Sequence, residues 1–198
     1  LVRVNALIGT PGADGQPSLS LSREQLIGLI KENVARNPKI LGTYIGWEKD
    51  ALDHNDAAYI GTKVVGIDPA NGRFLPWWFR NDDGSLGLDK LVDVDDQKTL
   101  STGVRASEYY LCSKETKKSC VIDPAPYKVG DKIVMLASFI EPIMLNGAFQ
   151  GIVGADLQEA YHLPLSLHPE NHEKLSDHLS LRKNHNSSAR FPDSGMKE

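Results

Sequence analysis

The 198-residue chain lacks any long hydrophobic run: its longest apolar stretch, Ile133 to Ile140, is interrupted by Ser138 and stops at Glu141. A membrane-spanning helix needs about 20 apolar residues, so none is expected within this sequence. A basic excess is also missing, since acidic side chains outnumber basic ones 26 to 22 and leave a net charge of −4. A nucleic-acid surface would show the opposite balance, which argues against nucleic acid as a partner. Histidine is scarce ahead of residue 159, where only His54 occurs, in the polar run Asp53-His54-Asn55-Asp56. A lone loop histidine reads as a solvated turn residue rather than a general base. The chain contains no Gly-x-Ser-x-Gly, no phosphate-binding loop, no His-Glu-x-x-His and no Gly-rich dinucleotide fingerprint. No enzymatic activity, metal or cofactor is therefore expected, and no pair of carboxylates has a spacing that suggests a hydrolase.

Cysteine is limited to Cys112 and Cys120, separated by the polar run Ser-Lys-Glu-Thr-Lys-Lys-Ser. That run resembles a hairpin tip, with two strands bringing the thiols within bridging distance. Spacing alone leaves two free, half-buried thiols as the alternative. A bridge would favour an oxidising, extracytoplasmic compartment. The chain starts at Leu1 rather than Met, from which a fragment or processed product is expected, with any signal or anchor helix lying upstream.

What is present divides the chain into three. Residues 1–21 are rich in Gly, Pro and Ser without a period and read as a loop or arm. Residues 22–158 carry the periodic elements. Ser22 with Gln25 fits a capping box, Leu21 and Leu26 a hydrophobic staple, and Leu26, Leu29, Ile30 and Val34 an apolar helical stripe that should stop at Asn37, before Pro38. Five β-like runs follow: Ile40–Glu48, Lys63–Asp68, Arg73–Arg80, Ile133–Ile143 and Ala148–Leu157. Asp68-Pro69-Ala70-Asn71-Gly72 joins the second to the third, and Asn146-Gly147 the fourth to the fifth, as turns. Between the third and fourth runs lies an excursion of about fifty residues, long enough to be functional or to hold small elements of its own. The expected fold is α+β, a helix packed on a five-stranded antiparallel PAS-like sheet. Residues 159–198 hold five of the six histidines and only eleven apolar residues. Their spacing is poor for a metal site, and they read as a polar, disordered or non-native tail.

Aromatic residues gather at strand ends and in the excursion: Tyr44, Trp47, Trp77, Trp78, Tyr109, Tyr110 and Tyr127. Strand alternation sends Trp78 and Arg80 to one face and Trp77 and Phe79 to the other. Such rings either fill the core or, with acidic neighbours, attract ammonium groups.

Several of these segments, taken in order, resemble the extracytoplasmic Cache (PDC) sensor domains of bacterial methyl-accepting chemotaxis receptors. They are Leu41-Gly42-Thr43-Tyr44-Ile45-Gly46-Trp47-Glu48, Gly72 to Arg80, Tyr109-Tyr110, Pro126-Tyr127-Lys128-Val129-Gly130, and Asn146 to Leu157. The resemblance covers about Ser22 to Leu157. It implies a periplasmic, ligand-binding sensor of a small metabolite, in a receptor anchored by membrane helices outside this chain and homodimeric at full length. It also implies that Asp156, in Gly151-x-x-Gly154-x-Asp156, meets an amine of the ligand. Where family members that bind amino acids place an Arg before the aromatic pair, this chain has Ser107, so the resemblance favours an amine or quaternary ammonium ligand. Trp77, Trp78, Tyr109, Tyr110 and Tyr127 are then the expected walls, with Asp156 and Asp123 balancing charge. A sensor histidine kinase, or a dimerisation or interaction module without ligand, is the alternative reading.

Overall fold

Ser22 starts the first helix as the spacing requires: its hydroxyl accepts from the Gln25 backbone N–H, and the Gln25 side chain accepts from the Ser22 N–H. The computed structural model describes residues 21–100, 103–129 and 132–158; the side chains of 125–128, 132, 133 and 158 lie outside that description. Helix α1 runs Arg23–Arg36 and ends at Asn37. Leu26, Ile30 and Val34 are buried on one side, and Leu21 packs with Leu26 against the same core. Arg23, in the first turn, is also buried. Its guanidinium donates to both Asp53 oxygens at 2.7 and 2.8 Å, to Asp56 at 2.6 Å and to the Gly72 carbonyl at 2.9 Å, which fastens the start of the helix to two loops.

The strands are β1 (Gly42–Trp47), β2 (Pro76–Arg80), β3 (Leu86–Lys90), β4 (Cys120–Val129), β5 (Lys132–Leu145) and β6 (Ala148–Gln158), with helix α2 (Glu108–Thr116) between β3 and β4. They form one antiparallel sheet in the order β3-β2-β1-β6-β5-β4. The α+β class holds, and the strand count is six instead of five. Two differences account for this. Lys63–Asp68 is not a strand; only Ile67 makes an isolated bridge, to Phe74, because Gly66 at φ +88° turns the chain away from an extended path. Two strands, β3 and β4, lie inside the expected excursion. Leu86-Gly-Leu-Asp-Lys has no β-branched residue to announce it, and β4 carries Pro124 and Pro126, which a strand tolerates at a sheet edge.

The Asn146-Gly147 turn joins β5 to β6 as expected, with both residues at positive φ, +50° and +78°, and Leu145 paired with Ala148. The central strand β1 is buried along its whole length because both faces of the sheet are covered. On one face, Ile45 and Trp47 meet Leu26 and Ile30 of α1. On the other, Tyr44, Leu75, Ile140 and Ile152 meet Leu91, Val94, Tyr109 and Tyr110 of the excursion. The arm and the tail expected at 1–21 and 159–198 lie, apart from Leu21, outside the described residues.

Candidate functional site

The centre of the site is Asp156 on β6. It stands opposite Gly42 on β1 and Ser138 on β5, so its side chain emerges in the middle of the sheet, on the excursion face. It is 4 % exposed. Oδ2 accepts from the Trp77 indole N–H at 3.0 Å, and Oδ1 accepts from the Ser138 hydroxyl at 2.7 Å. Both donors are neutral. Burial pushes the carboxyl up to about 7, while the two hydrogen bonds pull in the opposite direction.

Neighbouring glycines make this arrangement possible. Gly42 faces the Trp77–Asp156 contact, where a Cβ would stand 2.6 Å from Trp77 Nε1 and 3.2 Å from Asp156 Oδ2. Gly154, paired with Tyr44, leaves the surface on which the Tyr44 ring lies; any side chain there would overlap the ring. Gly154 of the motif thus makes room for the Tyr44 ring crossing from β1, as Gly42 on β1 does for the Trp77 indole.

The structure separates the expected walls. Trp77 stays with Asp156 and stacks at 4.7 Å on Phe79. Tyr109 is buried on the same face, edge-on to Tyr44 at 6.0 Å, with its hydroxyl on the Val92 carbonyl at 2.5 Å. Trp78 points to the other face, as alternation requires. Its indole donates to the Ile27 carbonyl of α1 at 3.0 Å and Lys31 lies over its ring, so it cannot line a site around Asp156. Tyr110 is fully buried and its hydroxyl donates to Glu48. The cations of Arg73 and Lys114 lie 4.9 and 5.6 Å from its ring centre, so its π face already meets charges of the protein. Burial holds the Tyr110 phenol well above the ordinary tyrosine range.

Asp123 is exposed on the edge strand β4, away from the Asp156 contacts. It borders an open groove of about 510 Å³ with Gly103, Arg105, Glu108 and Cys112. Arg105 there is already engaged by Glu108 at 2.5 Å and Glu115 at 2.7 Å. Tyr127 has its backbone in β4, opposite Val134, and its side chain lies outside the described residues. Ser107 is buried at the N-cap of α2, and its hydroxyl donates to the Asp96 carbonyl.

Cys112 and Cys120 form a disulfide with Cα atoms 6.3 Å apart, within the usual range. The hairpin expected between them is corrected: Cys112 sits in α2 and Cys120 opens β4, and the polar run is the last helical turn and a short connection closed by Lys117 at φ +58°. The bridge ties the excursion helix to the edge strand. Among the described residues no group of three His, Cys, Asp or Glu side chains is placed to hold a metal, and no helix is long and apolar enough to cross a membrane.

Sequence reasoning missed Ser138, Gly42 and Tyr44 as parts of the site. Ser138 did leave a signal: it is the one polar interruption of the longest apolar run. Arg73 was missed too. It is 1 % exposed, donates to the Trp47 carbonyl at 2.5 Å and pairs with Asp95 at 2.9 Å, bracing the far end of β1 against the excursion.

No family model matches the chain. Over 137 residues it is 31 % identical to the methyl-accepting chemotaxis protein TlpQ of Pseudomonas aeruginosa, a match covering 68 % of this chain and 19 % of that protein. The solved extracellular domain of the histidine kinase mmHK1S-Z3 is 31 % identical and superposes with a TM-score of 0.58 over 69 % of this chain and 44 % of that one. A structure of methyl-accepting chemotaxis protein X, at 23 % identity, shares the fold with a TM-score of 0.57 over 79 % of this chain and 52 % of its own. The chain therefore spans less than a fifth of the curated relative and about half of each solved domain. Over this segment it is a homologue of the methyl-accepting chemotaxis receptors, and its fold is that of a Cache (PDC) sensor domain.

Proposed function

We propose that this segment is the extracytoplasmic, ligand-receiving part of a membrane-anchored chemotaxis receptor, and that its ligand is a small amine or quaternary ammonium compound whose cation meets Asp156. The observation that carries the ligand class is the buried Asp156 carboxyl, whose two hydrogen-bond partners are both uncharged. A buried carboxylate is costly without a counter-charge, and a cationic ligand supplies one. Trp77 and Tyr109 stand on the same face, where aromatic rings add cation–π attraction. Ser107, held by the excursion's own backbone, offers no guanidinium to clamp an α-carboxylate.

A ligand biases signalling only if it favours one arrangement of the domain over another. The path to α1 is short. The Leu41 N–H donates to the Asp156 carbonyl at 2.9 Å, and two residues on, the Thr43 hydroxyl donates to the Ile30 carbonyl of α1 at 2.7 Å. Tightening of the excursion over Asp156 is therefore passed to α1 through these two hydrogen bonds. The likeness to a histidine kinase's extracellular domain supports a second reading in which the same segment serves a sensor kinase.

The test is a thermal-shift screen of the chain against amino acids, amines, betaines, organic acids and purines, because a ligand that binds the native state raises its stability by mass action. An ammonium compound that raises Tm in the wild type and not in Asp156→Asn is the expected result. A shift with an organic acid instead would overturn the ammonium assignment. Silence across the panel would favour an interaction module without a ligand.

A further inference from the structure

We infer that Trp77 and Ser138 are positioning residues that set the charge of Asp156, so that the indole of Trp77 acts on the site through its N–H as well as its ring. This rests on the reading of Asp156 as the acid that meets a cation. The geometry is specific. Each carboxylate oxygen receives one hydrogen bond, from the indole on β2 at 3.0 Å and from the hydroxyl on β5 at 2.7 Å, and the two donors reach Asp156 from opposite sides of β6. Gly42 keeps the space between β1 and the indole open, so the contact is built into the strand sequence.

Among the described side chains, the charged ones on the elements around this face are committed elsewhere or exposed. On α2, Glu108 and Glu115 hold Arg105, and Lys114 pairs with Glu48 at 2.8 Å. On β3, Lys90 pairs with Asp68 at 3.8 Å and Asp89 is exposed; on β4, Asp123 is exposed; on β5, Glu141 accepts from Ser119. Arg80 of β2 turns to α1, where it donates to the Val34 carbonyl. The burial that would keep Asp156 protonated is therefore opposed chiefly by two neutral donors. Both donors stabilise the carboxylate more than the acid, because hydrogen bonds to a charged acceptor are the stronger ones.

The consequence is a division of labour. Trp77 and Ser138 bring the carboxyl to the edge of ionisation, and an arriving cation completes it. With one donor already on each oxygen, the carboxylate favours a compact ammonium over the two-pronged fork of a guanidinium, which needs both oxygens free along one edge.

The experiment follows the Asp156 side-chain carboxyl directly, by carbon-13 NMR of the full chain labelled at aspartate and assigned through the backbone, and so needs no ligand. The wild type is expected to titrate with a midpoint near 7. In Trp77→Phe and in Ser138→Ala the midpoint should rise by about one pH unit each, and Ser138→Thr, which keeps a hydroxyl, should return it toward the wild-type value. A midpoint that stays put in both single variants overturns the proposal, whatever their stability, because a purely structural role would weaken the fold without moving the titration. Methylammonium and guanidinium chloride at low, equal concentration then test the preference: methylammonium should lower the wild-type midpoint and guanidinium should not. If guanidinium lowers it equally, the selectivity fails; if neither does while the variants still shift, the donor roles stand and the cation reading of the site fails.

Discussion

Tyr110 donates its hydroxyl to Glu48 Oε1 at 2.6 Å, joining the third residue of α2 to the residue that follows β1. Lys114 meets the same carboxylate oxygen at 2.8 Å, and Arg73 approaches it at 3.5 Å. One acid thus gathers the excursion helix, the turn before β2 and the end of the central strand. Glu48 is 27 % exposed, so this network is partly wet and its charges are partly screened.

Tyr110→Phe removes one hydrogen bond to a charged group and leaves the ring packed against Phe149. A loss of about 1.5 kcal/mol is expected in urea unfolding. A loss below about 0.5 kcal/mol would mean that Lys114 and Arg73 hold Glu48 unaided.

Stability should depend on pH in a direction set by Asp156. Its folded value, raised to about 7, exceeds the ordinary carboxylate value of about 3.9 expected unfolded. The contribution is therefore fully present below about pH 4 and is lost as pH rises through about 7, by at most about 4 kcal/mol. Asp53 acts oppositely: the Arg23 guanidinium holds it below the usual range, so its contribution is present above the ordinary value and fades as pH falls through its folded one. Urea unfolding between pH 4 and 8 should show stability falling toward the upper end in the wild type and a flatter profile in Asp156→Asn. Equal slopes in the two proteins would show that Asp156 ionises normally.

Reducing the Cys112–Cys120 bridge opens a short loop that joins α2 to β4. The chain-entropy contribution of a loop this size is about 2.6 kcal/mol. Thermal unfolding with and without a thiol reductant should show a lower Tm when reduced. An unchanged Tm would mean that the packing of Tyr109, Tyr110 and Leu111 holds α2 without the bridge.

Two glycines should respond in opposite senses to alanine. Gly28 lies mid-helix and exposed in α1, and a Cβ there would meet nothing within 4 Å; Gly28→Ala should stabilise by about 0.5–1 kcal/mol. Gly154→Ala would drive a methyl into the Tyr44 ring and should cost about 1–3 kcal/mol. Paired denaturation curves check both, and a neutral Gly154→Ala would show that the Tyr44 ring has another place to go.

The sequence by itself determined the parts whose signal is local. The helix from Ser22 to Asn37 was legible because its cap, staple and apolar stripe act within a few residues. The turn at Asn146-Gly147 was legible because positive φ selects those residues, and the opposite faces of Trp77 and Trp78 because side chains alternate along a strand. Strands β3 and β4 were not, since one lacks β-branched residues and the other holds two prolines, and each exists by pairing with a partner the local pattern does not name. The motif pointed to Asp156, but only the tertiary structure decided what surrounds it. Trp77 lies 79 residues away and Ser138 lies 18 away, and both meet Asp156 only because β2, β5 and β6 fall into one sheet around β1. The same assembly gave Tyr110 to Glu48 and Trp78 to α1. Local preference sets which face a side chain takes, whereas its partner is set by strand order and register, which are properties of the whole sheet.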